Sequence, residues 1–209
     1  QDPLSLYLHI PFCNTLCYYC ACNKIVTRDK SRAETYLSYL YREIEMVSEL
    51  YGRRQVLQLH WGGGTPTFID DDQILDLSRH LRQHFSFGSD QDGEFSIEID
   101  PRTVDPGRIA NLRNAGFNRL SMGIQDFDET VQKAVNRKQS FEATQEVIGA
   151  ARHHGFESIS VDLIYGLPFQ TQATIDRTLS QVIALGPDRI SLYNYAHLPN
   201  MFMPQKRIN

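Results

Sequence analysis

Cys13-Asn14-Thr15-Leu16-Cys17-Tyr18-Tyr19-Cys20-Ala21-Cys22 contains every cysteine of the chain. Three of them follow a C-x3-C-x2-C pattern, and the fourth stands two residues later. Three thiolates on one short loop can hold three corners of a [4Fe–4S] cube. The fourth iron would then lack a protein ligand and stay open to a small molecule. A disulfide framework is disfavoured, because no cysteine lies elsewhere to staple to and nothing marks the chain as secreted. A structural zinc site is disfavoured because it joins two ligand pairs across a longer loop.

Outward from that loop the chain alternates strand and helix. The patterns predict strands at Leu4–Ile10, Val56–Trp61, Phe95–Ile99, Arg119–Ile124, Ser158–Ile164 and Arg189–Tyr195. Helices are predicted over Ala33–Leu50, Asp70–Phe85, Pro106–Ala115, Phe141–His154 and Thr174–Leu185, with a shorter one near Glu129–Val135. Ser31-Arg32-Ala33-Glu34 has capping-box spacing. Asp105-Pro106 reads as an N-cap with proline at the first helical position. Gly52, Gly116, Gly155 and Gly186 each follow a helix, where a left-handed residue is needed. The segments GFNRLSMG, GFESISVD and GPDRISLY repeat one αβ unit, which predicts a parallel sheet with right-handed crossovers.

Alternate residues of a strand face opposite sides. One face reads Leu4, Leu6, Leu8; Leu57, Leu59, Trp61; Ile97, Ile99; Leu120, Met122, Ile124; Ile159, Val161, Leu163; Ile190, Leu192. The other carries Tyr7, His9; Gln58, His60; Glu98, Asp100; Ser121, Gln125; Ser160, Asp162; Tyr193, Tyr195. A parallel strand buried on both sides would be continuously apolar, and a closed eightfold barrel is filled with aliphatics. The expectation is an α/β fold of six parallel strands with outer helices, an open partial (β/α)6 barrel. Its apolar face meets the helices and its polar face lines a cavity.

In such barrels the site lies at the C-terminal ends of the strands. The cysteine loop follows the first strand there, and Gly62-Gly63-Gly64-Thr65-Pro66 follows the second. Glycines let a backbone approach a ligand and present its N–H groups. Glu98 and Gln125 end the third and fourth strands. Arg137, on sequence alone, reads as a surface residue, and His60, His153 and His154 as structural or solvent-facing.

The cysteine loop, with an aromatic just before the third cysteine, resembles that of the radical S-adenosylmethionine enzymes. Tyr7-Leu8-His9-Ile10-Pro11-Phe12-Cys13, Cys20–Arg28, His60–Thr67, Glu98–Arg102, Phe117–Phe127, Asp162–Pro168 and Asn194–Pro199 narrow the resemblance. They look like the oxygen-independent coproporphyrinogen III oxidase (dehydrogenase) family across nearly the whole chain. That resemblance implies a radical SAM core domain over residues 1–209. It makes Cys13, Cys17 and Cys20 the cluster ligands and Cys22 a non-ligand. It implies two S-adenosylmethionine molecules. Tyr7, Tyr19, Gly63 and Glu98 match positions contacting the one on the cluster. Gly64, Thr65, Gln125, Arg137, Asp162 and Ala196 match positions contacting the second.

The implied reaction is oxidative decarboxylation of two propionates of coproporphyrinogen III to give protoporphyrinogen IX, begun by a 5′-deoxyadenosyl radical. A one-electron donor such as flavodoxin or ferredoxin is the implied partner. Lys24 and Arg28 are candidates to meet the substrate's carboxylates. A haem-binding, chaperone-like relative without oxidase activity is the alternative, but such proteins usually have an aromatic where Cys22 stands and lack the Asn23–Arg28 run.

Composition fits this reading. In 209 residues, 41% are hydrophobic and 22% charged, as expected of a globular chain. A net charge of −4 disfavours a nucleic-acid partner. No apolar run is long enough for a membrane span, and clustered free thiols imply a reducing, cytoplasmic setting. A monomer is expected. The ends, Gln1-Asp2-Pro3 directly before a strand and Lys206-Arg207-Ile208-Asn209 with no closing helix, suggest a piece of a longer protein. The family's N-terminal extension and C-terminal domain are not in the sequence.

Overall fold

The computed structural model describes residues 2–51 and 54–208. Six principal strands, β1 (Leu4–Ile10), β2 (Gln55–Gly63), β3 (Glu94–Ile99), β4 (Arg119–Gln125), β5 (Ser158–Tyr165) and β6 (Arg189–Asn194), lie in sequential order in one sheet. Every pairing is parallel. A two-residue strand, Ser86–Phe87, adds to β2 as a seventh. The helices α1 (Ser31–Tyr51), α2 (Asp71–His84), α3 (Pro106–Asn114), α4 (Glu129–Ala134), α5 (Phe141–His153) and α6 (Gln172–Leu185) fill the connections. The expected α/β partial barrel is therefore the fold observed.

Local chemistry sets the helix ends. Asp105 accepts a hydrogen bond from the Arg108 amide ahead of Pro106, as its sequence predicted. Asp70 with Gln73, and Thr171 with Thr174, form reciprocal capping boxes on α2 and α6. The box expected at Ser31–Glu34 does not form. Ser31 is already helical, and its amide and hydroxyl both donate to Asp29 Oδ1, at 3.1 and 2.7 Å. An Asp two residues upstream captures the groups that the box needed. Gly186 closes α6 in the left-handed region (φ 65°), and Gly116 and Gly155 also have positive φ. Gly52 lies outside the described residues.

The apolar face of the sheet meets the helices in one core, with Trp61, Ile97, Met122, Ile159 and Val161 fully buried. Trp61 packs edge-on against Phe117 at 5.0 Å between ring centroids. Strand parity fails at two places. The β1–β2 register slips between Leu4 and Ser5, which pair with Val56 and Gln58. Val56 rather than Leu57 therefore fills the core, and Val56 is fully buried. On β6, Ile190 and Leu192 were expected against helices but are 44% and 51% exposed. Strand β6 is an edge strand, so alternation alone could not supply a covering layer.

Asn118, fully buried, joins three segments. Its Oδ1 accepts the Phe95 amide at 2.8 Å, and its Nδ2 donates to the carbonyls of Gly93 (2.8 Å) and Asp90 (3.1 Å). Asn118→Ala would strand those partners. It should cost about 3 kcal/mol, since each buried group left unpaired is worth about 1–3 kcal/mol. A urea midpoint unchanged by the substitution would contradict this account.

Candidate functional site

The cysteine loop leaves β1 and is clamped at both ends. Phe12–Cys13 pairs with Ile25–Val26 in a short parallel ladder. The amides of Ile25 and Thr27 donate to the carbonyls of Pro11 (2.7 Å) and Cys13 (2.9 Å). His9 Nε2 bonds the Asn23 carbonyl at 2.9 Å, and Lys24 Nζ donates to the carbonyls of Cys20 (2.8 Å) and Cys22 (3.4 Å). From the far side, the Tyr18 amide donates to the Val135 carbonyl and Asn136 Nδ2 to the Leu16 carbonyl. The Lys24 ammonium is thus engaged in shaping the loop, while Arg28 is exposed.

The loop faces a cavity of about 290 Å³ at the C-terminal ends of the strands. All four cysteines line it, as do Tyr19, Gly63, Gly64, Thr65, Glu98, Gln125, Arg137 and Asp162. Lys24 also contributes to the lining, whereas Tyr7 and Ala196 do not. Tyr7 is 57% exposed and stacks on His60 at 5.7 Å.

Sequence reasoning missed the groups that organise this lining. Asp100 is buried and takes Arg102 bidentately, Nε to Oδ1 at 2.9 Å and a terminal nitrogen to Oδ2 at 2.6 Å. Arg137 reaches the same Oδ2 at 3.3 Å. Both guanidiniums also approach Cys17 Sγ, Arg137 at 3.6 Å and Arg102 at 3.7 Å. Arg137, expected at the surface on sequence alone, is only 7% exposed, because it bridges Cys17, Asp100 and the Gly123 carbonyl. Burial alone would push Asp100 up, but the two arginines outweigh it and hold its carboxyl below the usual range. His60 does more than fill space. Its Nδ1 meets Ser96 Oγ at 2.6 Å and its Nε2 meets Glu98 Oε1 at 3.0 Å, which fixes the carboxylate. The alternation that placed His60, Asp100 and Glu98 on one face held the signal. His153 and His154 stack edge-on against each other on α5 and its C-cap, and His153 is exposed, in line with the structural or solvent-facing reading.

The glycine turn acts differently from expectation. The Gly63 amide donates to Glu98 (3.3 Å), the Gly64 amide to the Ile10 carbonyl (2.9 Å) and the Thr65 amide to the Phe12 carbonyl (2.8 Å). These amides join the turn to Glu98 and to the start of the cysteine loop. What glycine supplies is close approach. At Gly63 (φ 118°) a Cβ would lie 2.7 Å from the His9 ring, and at Gly64 2.7 Å from the Phe12 carbonyl oxygen.

The donor set fits an iron–sulfur cube better than a single ion. A tetrahedral zinc with bonds of about 2.3 Å would hold its thiolates roughly 3.8 Å apart. Among the described residues, no three cysteine sulfurs converge within 4.8 Å of one another. One thiol, Cys20, is set toward anionic ligation. Cys20 is lowered to about 5, chiefly by the Cys22 thiol hydrogen-bonded to it, while the same contact and burial push Cys22 up. Cys13 is pushed up by burial.

The sequence profile of the radical SAM superfamily matches residues 7–182. The chain is 56% identical over 208 residues to the oxygen-independent coproporphyrinogen III oxidase of Pseudomonas aeruginosa, a match covering 99% of this chain and 45% of that protein. Against the enzyme of the same name from Escherichia coli the identity is 52%, again over 45% of the relative. The chain thus spans a little under half the length of these relatives. The solved structure of the Escherichia coli coproporphyrinogen III oxidase, described as a radical SAM enzyme, superposes with a TM-score of 0.96. That match has 51% identity and covers 99% of this chain and 47% of that one. Methylornithine synthase, at 13% identity and a TM-score of 0.65, shares the fold.

Two outcomes test the site. Cys13→Ser, Cys17→Ser and Cys20→Ser should each abolish the visible absorbance of an anaerobically rebuilt cluster, and Cys22→Ser should keep it. Loss in the Cys22 variant would move that residue into the ligand set. The second concerns Asp162, whose carboxyl is pushed up to about 6 by burial and then by neighbouring Glu98. Its folded pKa exceeds the unfolded value of about 3.9, so the folded state binds more protons, and stability falls as pH rises from about 4 to about 6. Asp162→Asn removes that slope. The variant should be more stable at about pH 7.5 by on the order of 2 kcal/mol, a figure discounted for residual exposure. Its advantage should shrink toward pH 4. Urea midpoints measured across that range would show a constant gap if Asp162 does not titrate there.

Proposed function

The chain belongs to the radical SAM superfamily, and on that premise we propose that it is the cofactor-binding barrel of an oxygen-independent coproporphyrinogen III oxidase. The observation that carries this reading is one cavity lined by three spaced thiols and by a ring of polar side chains from successive strand ends. Identity above 50% to oxidases of that name supports the substrate assignment.

In this reading Cys13, Cys17 and Cys20 hold a [4Fe–4S] cluster with S-adenosylmethionine on its open iron. When bound, these groups would supply the one-electron chemistry that takes a hydrogen atom from a substrate propionate; carbon dioxide would then leave and a vinyl group form as a one-electron acceptor takes up the remaining electron. The chain's own residues position and shield. Asp100 orients Arg102 and Arg137 toward Cys17, so two cations offset the negative charge of a thiolate-ligated cluster. Tyr19 belongs to the cysteine loop, and burial pushes its hydroxyl well up, so it stays neutral. His60 holds Glu98 toward the cavity as an acceptor for a cationic amine. Gln125 has φ 67° at a break in the β4–β5 register, and strain of this kind is typical of ligand-clamping positions.

We take Gly64, Thr65, Gln125, Arg137 and Asp162 as the place of a second S-adenosylmethionine, with Ala196 at its edge. Tyr7, stacked on His60, belongs to the rim of the first. The substrate is coproporphyrinogen III, the product is protoporphyrinogen IX, and the electron donor is of the flavodoxin or ferredoxin class. Four free thiols call for a reducing compartment such as the cytoplasm. Among the described residues, no helix is long and apolar enough to cross a membrane.

Anaerobic reconstitution tests the cofactor half. With reductant and S-adenosylmethionine, the chain should form 5′-deoxyadenosine, and Cys13→Ser should abolish it. The substrate half needs productive placement, where about 1 Å of error costs on the order of a hundredfold. Grafted in place of the matching segment of the Escherichia coli enzyme, this chain should sustain protoporphyrinogen formation. A graft that makes 5′-deoxyadenosine and retains haem but yields no protoporphyrinogen would replace the oxidase reading with a haem-carrier one.

A further inference from the structure

A second group of donors lies in the outer helical layer, at the end of α2 remote from the cysteine loop. His80 and His84 are one turn apart, a spacing that turns two imidazoles to one helix face. Their ring centroids are 4.5 Å apart. Glu45 projects from α1 onto the same place, so that one donor atom from each residue falls within 4.8 Å of the others. Among the described residues, no other three His, Cys, Asp or Glu side chains do this.

The detailed geometry suits a cation better than an ion pair. His80 Nε2 is 3.6 Å from Glu45 Oε1, too long for a hydrogen bond. Yet that nitrogen is closed to solvent and has no hydrogen-bond partner. A buried polar atom without a partner signals strain or an absent water or ion. Two ligands at about 2.0–2.1 Å from a tetrahedral zinc stand roughly 3.3–3.4 Å apart, close to the spacing seen. The surroundings already resemble a supported site. Tyr41 packs edge-on against His80 at 4.8 Å, and Ser48 Oγ lies 3.4 Å from His84 Nδ1, where it can orient the ring.

We propose that Glu45, His80 and His84 bind a divalent cation of the zinc class, with water in the fourth position, as a clasp between α1 and α2. Imidazole and carboxylate ligands favour zinc or its neighbours over magnesium or calcium. The site is separate from the cavity and takes no part in its chemistry.

The test uses the chain without a histidine tag, its cluster rebuilt anaerobically so that the cysteines are occupied. Equilibrium dialysis against zinc, with metal analysis, should find one zinc per chain beyond the cluster iron. His80→Gln and His84→Gln should each weaken binding at least tenfold, as expected on losing a ligand or its support. Glu45→Gln, on an exposed side chain, should weaken it while leaving the metal-free melting midpoint unchanged. Cobalt in place of zinc should show visible d–d bands without thiolate charge transfer. Absence of extra zinc overturns the proposal. Full affinity in the His80 and His84 variants also overturns it, and so does cobalt that shows thiolate bands.

Discussion

Asp100 is the group on which the site depends. It directly follows β3, and its carboxylate is shared between Arg102 and Arg137, which come from different segments. Without that anion, the buried Arg137 and half-buried Arg102 guanidiniums would face each other at the cavity wall, and unpaired buried charge is strongly destabilising. With it, each brings the terminal nitrogen that contacts Asp100 close to Cys17 Sγ as well. One carboxylate thus converts mutual repulsion into a positively charged seat for the cysteine loop. The rest of the loop's support comes from backbone hydrogen bonds and from the side chains of His9, Lys24 and Asn136.

The separation of apolar and polar faces follows from the same economy of position. Helices cover the outer side of the first five strands and take up Trp61, Ile97, Met122 and Val161. That leaves the inner side free to carry Glu98, Ser121, Gln125 and Asp162. Burial within this polar lining raises Asp162, and cationic neighbours lower Asp100, so two carboxyls on one surface differ in acidity according to what faces them.

Much of this was legible in the sequence because it is local. Period-two alternation, proline and aspartate at helix starts and glycine at helix ends gave six strands and six helices close to their observed limits. The cysteine spacing placed the loop. What could not be read depends on partners distant along the chain. Arg137 is hydrophilic by type, and only its approach to Asp100 and Cys17 makes it a buried residue. The bulge that puts Val56 in place of Leu57 arises from pairing with β1, some fifty residues away. Exposure of Ile190 and Leu192 reflects the lack of a covering layer, which no alternation pattern can report. The glycine turn was located correctly, but its amides proved to join the turn to Glu98 and the first loop.

That last junction has a consequence in time. Gly64 and Thr65 hold Ile10 and Phe12 through backbone hydrogen bonds across more than fifty residues of chain. The cysteines are therefore held against the glycine turn only after β1 and β2 have paired. Before that, they are four reactive thiols on a floppy tether, able to bind stray metal or oxidise. The finished seat for iron thus exists only once the first βαβ unit has formed, and a nascent chain would gain by keeping this segment sequestered until α1 and β2 have emerged.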